Sequence, residues 1–256
     1  MVRNLFNSSD FLLTILSIPA YLFFFSFRGY ARAWTSQRLG DDTPATNGFL
    51  TLNPLKHVNL VGFVCLLLCG IGFGKHIPTN PSNYKNFKKS SALLILSGPA
   101  SGIIFSFFAS LIFFILYYIG TFFNLVYTGQ FGFLAYAVAP TSLISEMVNV
   151  SSAAVTYTCI LIIFMQMVII SISLTIFHLL PLPGFDSYSL ITLFLPYKLR
   201  FTLYKVEKYN LFIFIGFILL IRLVPQVYSF FIGTPTSTLF DLVTTPFWKI
   251  VQLLIK

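Results

Sequence analysis

Charge is what this chain has least of: seven Asp and Glu and 16 Lys and Arg in 256 residues, 9% in all. Beside 57% hydrophobic residues and 31 Phe, that scarcity excludes a soluble globular domain and makes the chain an integral membrane protein. Cysteine is nearly absent as well. Cys65, Cys69 and Cys159 all fall inside apolar runs, which excludes a disulfide framework and reads as packed thiols. The net charge of +9 comes from basic residues in short stretches between apolar runs. They fit segments held at an inner membrane face beside anionic lipid, so nucleic acid is not an expected partner. No internal repeat or low-complexity tract is evident, which leaves an inverted-repeat transporter little support. No cleaved signal is expected: Asp10 interrupts the approach to the first apolar run, and no small-x-small site follows before Arg28. The first segment reads as a retained anchor.

What is present is a series of apolar runs separated by polar and basic connectors, an all-α polytopic membrane protein. The run from Phe11 to about Trp34 is long enough to cross roughly 30 Å of hydrocarbon. Arg28 and Arg32 then lie near its far interface, where long side chains snorkel. Val58 to Phe73 has only 16 residues, with Gly62, Gly70 and Gly72 among them. Arg38 and Lys56 before it and Lys75, Lys85, Lys88 and Lys89 after it favour the same side, so it reads as a re-entrant or hairpin element. A third run covers about Ser91 to Ile119, with a kink or local break expected at Pro99. Asn124 to Asn149 is weakly patterned: Tyr127 to Phe131 reads as a loop, the rest as an interfacial segment or partial span.

A strong run from about Ala153 to Leu180 meets Pro181-Leu182-Pro183-Gly184-Phe185-Asp186, which should break the helix within the membrane. Lys198, Arg200, Lys205 and Lys208 form another cytoplasmic signature, and a last span is expected from Leu211 to about Ile232. The tail from Leu239 to Lys256 is short and mixed, with Trp248 and Lys249 as an interfacial anchor. The count is four spans and one re-entrant element, with one or two further crossings left open by hydropathy, and the N-terminus outside.

The ionisable residues inside these runs are the functional candidates. Asp186 is the only formally charged residue between Glu146 and Lys198, and a carboxylate there requires a metal, a cation or a proton. The bland reading is a water-accessible helix break without chemistry. Arg28 and Arg32, four residues apart, share a helix face and repel one another unless an anion lies between them. Either they snorkel at the interface or one of them is the counter-charge of Asp186. Arg222, near the middle of the last run, is the rival partner. His178 alone suits a hydrogen-bonding role better than a ligand role. His57 and His76 flank the short second run without the further donors a zinc site needs.

Several stretches together resemble a known family. Arg28-Gly29-Tyr30-Ala31-Arg32-Ala33-Trp34 falls where the pattern H-E-x-x-H-A-W would stand at the end of an early span. Gly40-Asp41-Asp42-Thr43 is similar to G-D-x-T-A, and Gly48 to Asn59 is similar to G-R-L-T-L-N-P-L-K-H-I-D. Phe73 to Pro81 is similar to F-G-x-x-K-P-V-P-x-N-P, Ser97 to Gly102 to A-G-P-x-x-N, and His178 to Ser187 to N-L-x-P-x-P-P-L-D-G. These collinear elements, over residues 28 to about 190, resemble the site-2 protease family of intramembrane zinc metalloproteases, peptidase family M50, in its short bacterial form without a PDZ domain.

The resemblance implies a site-2-protease-like helical core over residues 10–190 of a single membrane domain, 1–256. Residues 191–256 would add a basic connector, a C-terminal membrane segment and a tail. It also implies that the departures fall on the chemistry. Arg28, Arg32 and Asp186 stand at zinc-ligand positions, Gly29 at the general base, and Gly102 and His178 where asparagines hold substrate or transition state. The expectation is a pseudoprotease in a bacterial cytoplasmic (inner) membrane, multi-pass, without a cofactor. Its Arg28, Arg32, Asp186, His178, Gly102 and Arg222 would form an ion-pair cluster or a groove for transmembrane segments of other proteins. The alternatives are an active intramembrane zinc metallopeptidase with an atypical site, and a small transporter with Asp186 and Arg222 in its path.

Overall fold

The computed structural model describes residues 8–69, 73–126, 132–148 and 151–255. The side chains of Arg222, Cys65 and Cys69 and the loop expected at Tyr127 to Phe131 lie outside the described residues. Every element is helical apart from one isolated bridge. α1 spans Ser8–Arg38, α2 Thr43–Thr46, α3 Pro54–His57, α4 Leu60–Cys69, α5 Phe87–Phe122, α6 Ala135–Val138 and α7 Pro140–Val148. They are followed by α8 Ser152–His178, α9 Asp186–Phe194, α10 Tyr197–Glu207, α11 Asn210–Leu223, α12 Pro225–Tyr228 and α13 Thr234–Ile255. Among the described residues α1, α5 and α8 are each long and apolar enough to cross a membrane, and a bent pair near the C-terminus makes a fourth if counted as one span.

Side-chain caps set where the long helices begin. Asn86 accepts from the Lys89 amide to start α5, and Ser151 accepts from the Ala154 amide to start α8, each satisfying a first-turn donor. α8 is the centre of the molecule. Ala20, Phe24 and Phe25 of α1 pack on its Val168, Ile172 and Leu174. Further along, Phe113, Phe114 and Tyr117 of α5 meet Leu161, Ile162 and Met165. The face of α5 turned away from this core, including Ile104, Phe108 and Ile115, is exposed, as a lipid-facing surface requires. Close approach of α5 to α8 depends on Gly102, where a Cβ would come within 1.9 Å of the Thr175 hydroxyl oxygen.

The short second run folds as a hairpin. α4 rises from Leu60, and Gly74 returns to pair antiparallel with Val58, the Lys75 amide donating to the His57 carbonyl at 2.6 Å. The break after α8 also stands where the prolines and glycine place it: α8 ends at His178, Gly184 takes a φ of +90°, and α9 starts at Asp186. The weakly patterned stretch contributes α6 and α7, which pack against α8 through Tyr136 and Leu143.

Two expectations need correction. Of the kink or local break expected at Pro99, the break does not occur, because α5 continues through it. Proline is tolerated in such helices where neighbouring groups satisfy the backbone, and the Ser97 and Ser101 hydroxyls donate to the Leu94 and Gly98 carbonyls in this turn. The run from Leu211 to Ile232 is not one straight span. α11 stops at Leu223, and the chain turns by 105° before continuing from Pro225 into α13. Pro225 disfavours helical geometry in the residue before it, and Val224 is extended at φ −121°, ψ 91°. The tail is a packed helix. Trp248 of α13 sits 4.8 Å from the Phe133 ring and also meets Phe114 and Tyr117, geometry suited to aromatic attraction.

Candidate functional site

Arg28 and Arg32 occupy successive turns of α1, and both reach the first residue of α9. Arg28 Nη2 donates to Asp186 Oδ2 at 2.5 Å, and Arg32 Nη1 donates to Asp186 Oδ1 at 2.8 Å. One carboxylate thus bridges two guanidiniums that would otherwise repel, and each of its oxygens holds a charge-assisted hydrogen bond. The helix break places Asp186 at the N-terminus of α9, where the helix dipole also favours negative charge. Side-chain exposure is 9% for Arg28 and Asp186 and 25% for Arg32, so Arg28 with Asp186 is the inner pair and Arg32 the outer one.

The space for this cluster comes from α5. A Cβ on Gly98 would lie 3.0 Å from Asp186 Oδ2 and 3.2 Å from Arg28 Cζ and Nη1, so the absence of a side chain there lets the pair sit against the helix backbone. Arg28 Nη1 itself has no hydrogen-bond partner. Gly102, one turn further on, faces Thr175 and Phe24 and is not among the residues lining the cavity beside the cluster.

That cavity has a volume of about 490 Å³ and lies between α1, the hairpin, the α8–α9 break and α11. Arg28, Gly29, Arg32, His178 and Asp186 all line it, as do Phe25, Phe73, Lys75, Phe185 and Phe214. His178 is buried, its Nδ1 donating to the Leu174 carbonyl at 2.7 Å and its ring 5.5 Å from that of Phe185. It serves as a hydrogen-bonded wall residue.

His57 is the site residue that sequence reasoning missed. Its ring is 2% exposed, its Nε2 donates to the Thr51 carbonyl at 2.6 Å, and its Nδ1 is buried without a partner. A Cβ on Gly29 would fall 2.1 Å from that Nδ1, so the imidazole fills the space that any larger residue at position 29 would occupy. Burial holds His57 below the ordinary imidazole range; the Thr51 carbonyl opposes this and Lys75 adds to it. Nothing in the spacing of residues 29 and 57 signals the contact; only the α1–hairpin packing creates it.

A second carboxylate stands at the aqueous end of α1. Asp41 is fully buried, and it accepts from the Ser36 hydroxyl, the Thr43 hydroxyl and amide, the Asn80 amide and the Asn83 side chain, all within 3.1 Å. Burial pushes its pKa up, but the Thr43, Asn80 and Asn83 hydrogen bonds outweigh it and hold the carboxyl down at about 2. Asp41 ties the end of α1 to the segment leading into α5, and so fixes the frame on which the hairpin stands.

The donor set does not fit a zinc ion. Guanidiniums have no lone pair to offer, both Asp186 oxygens are taken, His57 Nε2 is bonded to the Thr51 carbonyl with Nδ1 against Gly29, and His178 Nδ1 is bonded to the Leu174 carbonyl. Among the described residues no three His, Cys, Asp or Glu side chains converge, whereas structural and catalytic zinc sites use three or four such donors.

No family model matches the chain, and no solved structure matches it. It is similar to the Bacillus subtilis (strain 168) protein named "Putative zinc metalloprotease YwhC", 28% identical over 210 residues that cover 80% of this chain and 83% of the relative. The chain, with its three-span helical core, is thus a distant relative of a bacterial protein so named.

Proposed function

We propose that the chain is a catalytically inactive relative of the site-2 proteases, one that binds or regulates other membrane proteins in the bacterial cytoplasmic membrane. The observation that carries this reading is the double ion pair: Arg28 and Arg32 together take both oxygens of Asp186. In the family pattern these are the three positions for metal ligands. Here the two guanidiniums compensate the Asp186 carboxylate without a metal and leave one positive charge over. Gly29, at the position of the general base, has no side chain to activate water, and the His57 ring closes over it. The cavity that remains, about 490 Å³ with aromatic walls, is a place for side chains of a partner's transmembrane segment.

The test is zinc content together with cleavage, measured on the full chain purified in detergent and reconstituted in lipid. The reading expects zinc well below one ion per chain and no cleavage of a membrane-spanning peptide. One zinc per chain, with cleavage abolished by Asp186→Ala, would overturn it in favour of an atypical intramembrane peptidase. Photo-crosslinking from position 214 or 185 at the cavity wall should capture transmembrane segments of other proteins.

A further inference from the structure

The charges around the cavity do not cancel. Arg28, Arg32 and Lys75 line it, and Asp186 is the one carboxylate among its lining residues. Both oxygens of Asp186 are already committed to the arginines. Lys75 has no acidic partner within ion-pair distance among the described residues, and it stands close enough to His57 to lower that ring's affinity for a proton. Two positive charges are therefore left over in a space walled in one part by Phe25, Phe73, Phe185 and Phe214 and in another by neutral polar side chains such as Ser189 and Asn210. Cationic excess beside an apolar wall is the complement of an anionic amphiphile.

The neighbouring helix points to which one. α10 joins the two elements, α9 and α11, that contribute Ser189, Asn210 and Phe214 to the cavity, and Tyr188 of α9 donates to the Leu203 carbonyl of α10 at 3.1 Å. No residue of α10 is buried. It exposes Tyr197, Phe201 and Tyr204 together with Lys198, Arg200 and Lys205, the composition of a helix lying in the plane of an anionic membrane surface. The cavity therefore adjoins a helix whose exposed basic and aromatic residues suit an anionic lipid surface.

We infer that the cavity is a headgroup site for an acidic phospholipid, its phosphate held by Lys75 and Arg32 and its apolar part against the aromatic wall. Basic pockets between membrane helices at the inner face take such headgroups by the same chemistry. The inference rests on the same cavity and the same pairing of Asp186 with arginines as the proposed function, with the lipid as its occupant where no partner segment is seated. Absence of lipid binding would leave the zinc and cleavage results as they are, and zinc at Asp186 would leave the dependence on Lys75 readable.

The experiment is native mass spectrometry of the full chain in detergent, titrated with phosphatidylglycerol or phosphatidylcholine, with zinc measured on the same sample. Phosphatidylglycerol should be retained at one per chain in preference to phosphatidylcholine. Lys75→Gln should reduce that retention about fivefold, the factor equivalent to about 1 kcal/mol for one lysine near a lipid phosphate. The double variant Lys198→Gln with Lys205→Gln on α10 should keep the one-to-one stoichiometry. Unchanged thermal unfolding of Lys75→Gln in phosphatidylcholine shows that folding is not the cause. Retention that Lys75→Gln leaves intact overturns the inference. So does full displacement of the lipid by millimolar inorganic phosphate, which would make this a free-anion site. Retention of a carboxylate-bearing membrane peptide but not of phosphatidylglycerol overturns it as well.

Discussion

Two buried carboxylates anchor this molecule, and they are satisfied in opposite ways. Asp186, at the helix break within the membrane region, is met by two guanidiniums. Asp41, at the aqueous end of α1, is met by neutral hydroxyls and amides alone. Where neighbouring loops can fold around the anion, hydrogen bonds suffice and the loop sequence supplies them. Between apolar helices few side-chain hydroxyls and amides are at hand, and full counter-charges compensate the carboxylate. The first arrangement is a fold lock. The second occupies the positions that the resemblance to site-2 proteases assigns to zinc ligands, and the proposal of binding rather than hydrolysis rests on it.

The contrast is broken most severely at Asp186. Asp186→Ala should leave two uncompensated guanidiniums and cost about 3–5 kcal/mol, read as a lowered unfolding temperature in detergent. Adding Arg28→Leu and Arg32→Gln should recover most of that loss, since removal of all the charges leaves nothing to compensate. Asp41→Asn should cost about 2 kcal/mol, the value of holding a carboxyl near 2 rather than at its usual 3.8. The sign follows from a depressed folded pKa: this stabilisation is complete above about pH 4 and disappears as pH falls through about 2. Amide exchange in residues 41–46 and 80–84 should rise across that window.

Smaller effects sharpen the picture at His57. Gly29→Ala should cost about 1–3 kcal/mol by forcing the held imidazole aside, and adding His57→Ala should relieve it. Restoring histidines at 28 and 32 and glutamate at 29 should yield no cleavage while His57 keeps its place. The least effect is the titration of His57 itself. Its folded pKa is lowered, so the stabilisation is present above the ordinary imidazole value of about 6.5 and declines as pH falls below it. Histidine NMR of the labelled protein would follow this.

The central architecture was legible because lipid imposes a simple code. α1, α5 and α8 follow apolar runs, the hairpin at Val58 follows a run too short to cross between basic flanks of one side, and the break before Asp186 follows two prolines and a glycine. The C-terminal region was not, because hydropathy averages over Pro225 and continues the run where the backbone turns by 105°. The contacts of Trp248 with Phe133 and Phe114 were equally out of sight, since those partners lie far away in sequence. At the site, the face shared by Arg28 and Arg32 and the isolation of Asp186 were visible residue by residue. The packing of His57 onto Gly29 and the five donors around Asp41 were not, since both depend on loops brought together only by the folded frame.

The central claim is tested most directly by an experimental structure at side-chain resolution carrying a zinc-edge anomalous map. The account expects continuous density from both guanidiniums to the Asp186 carboxylate and no anomalous peak beside it. A peak at about 2.0–2.2 Å from an Asp186 oxygen, the zinc–carboxylate distance, with the arginines turned away, would contradict it.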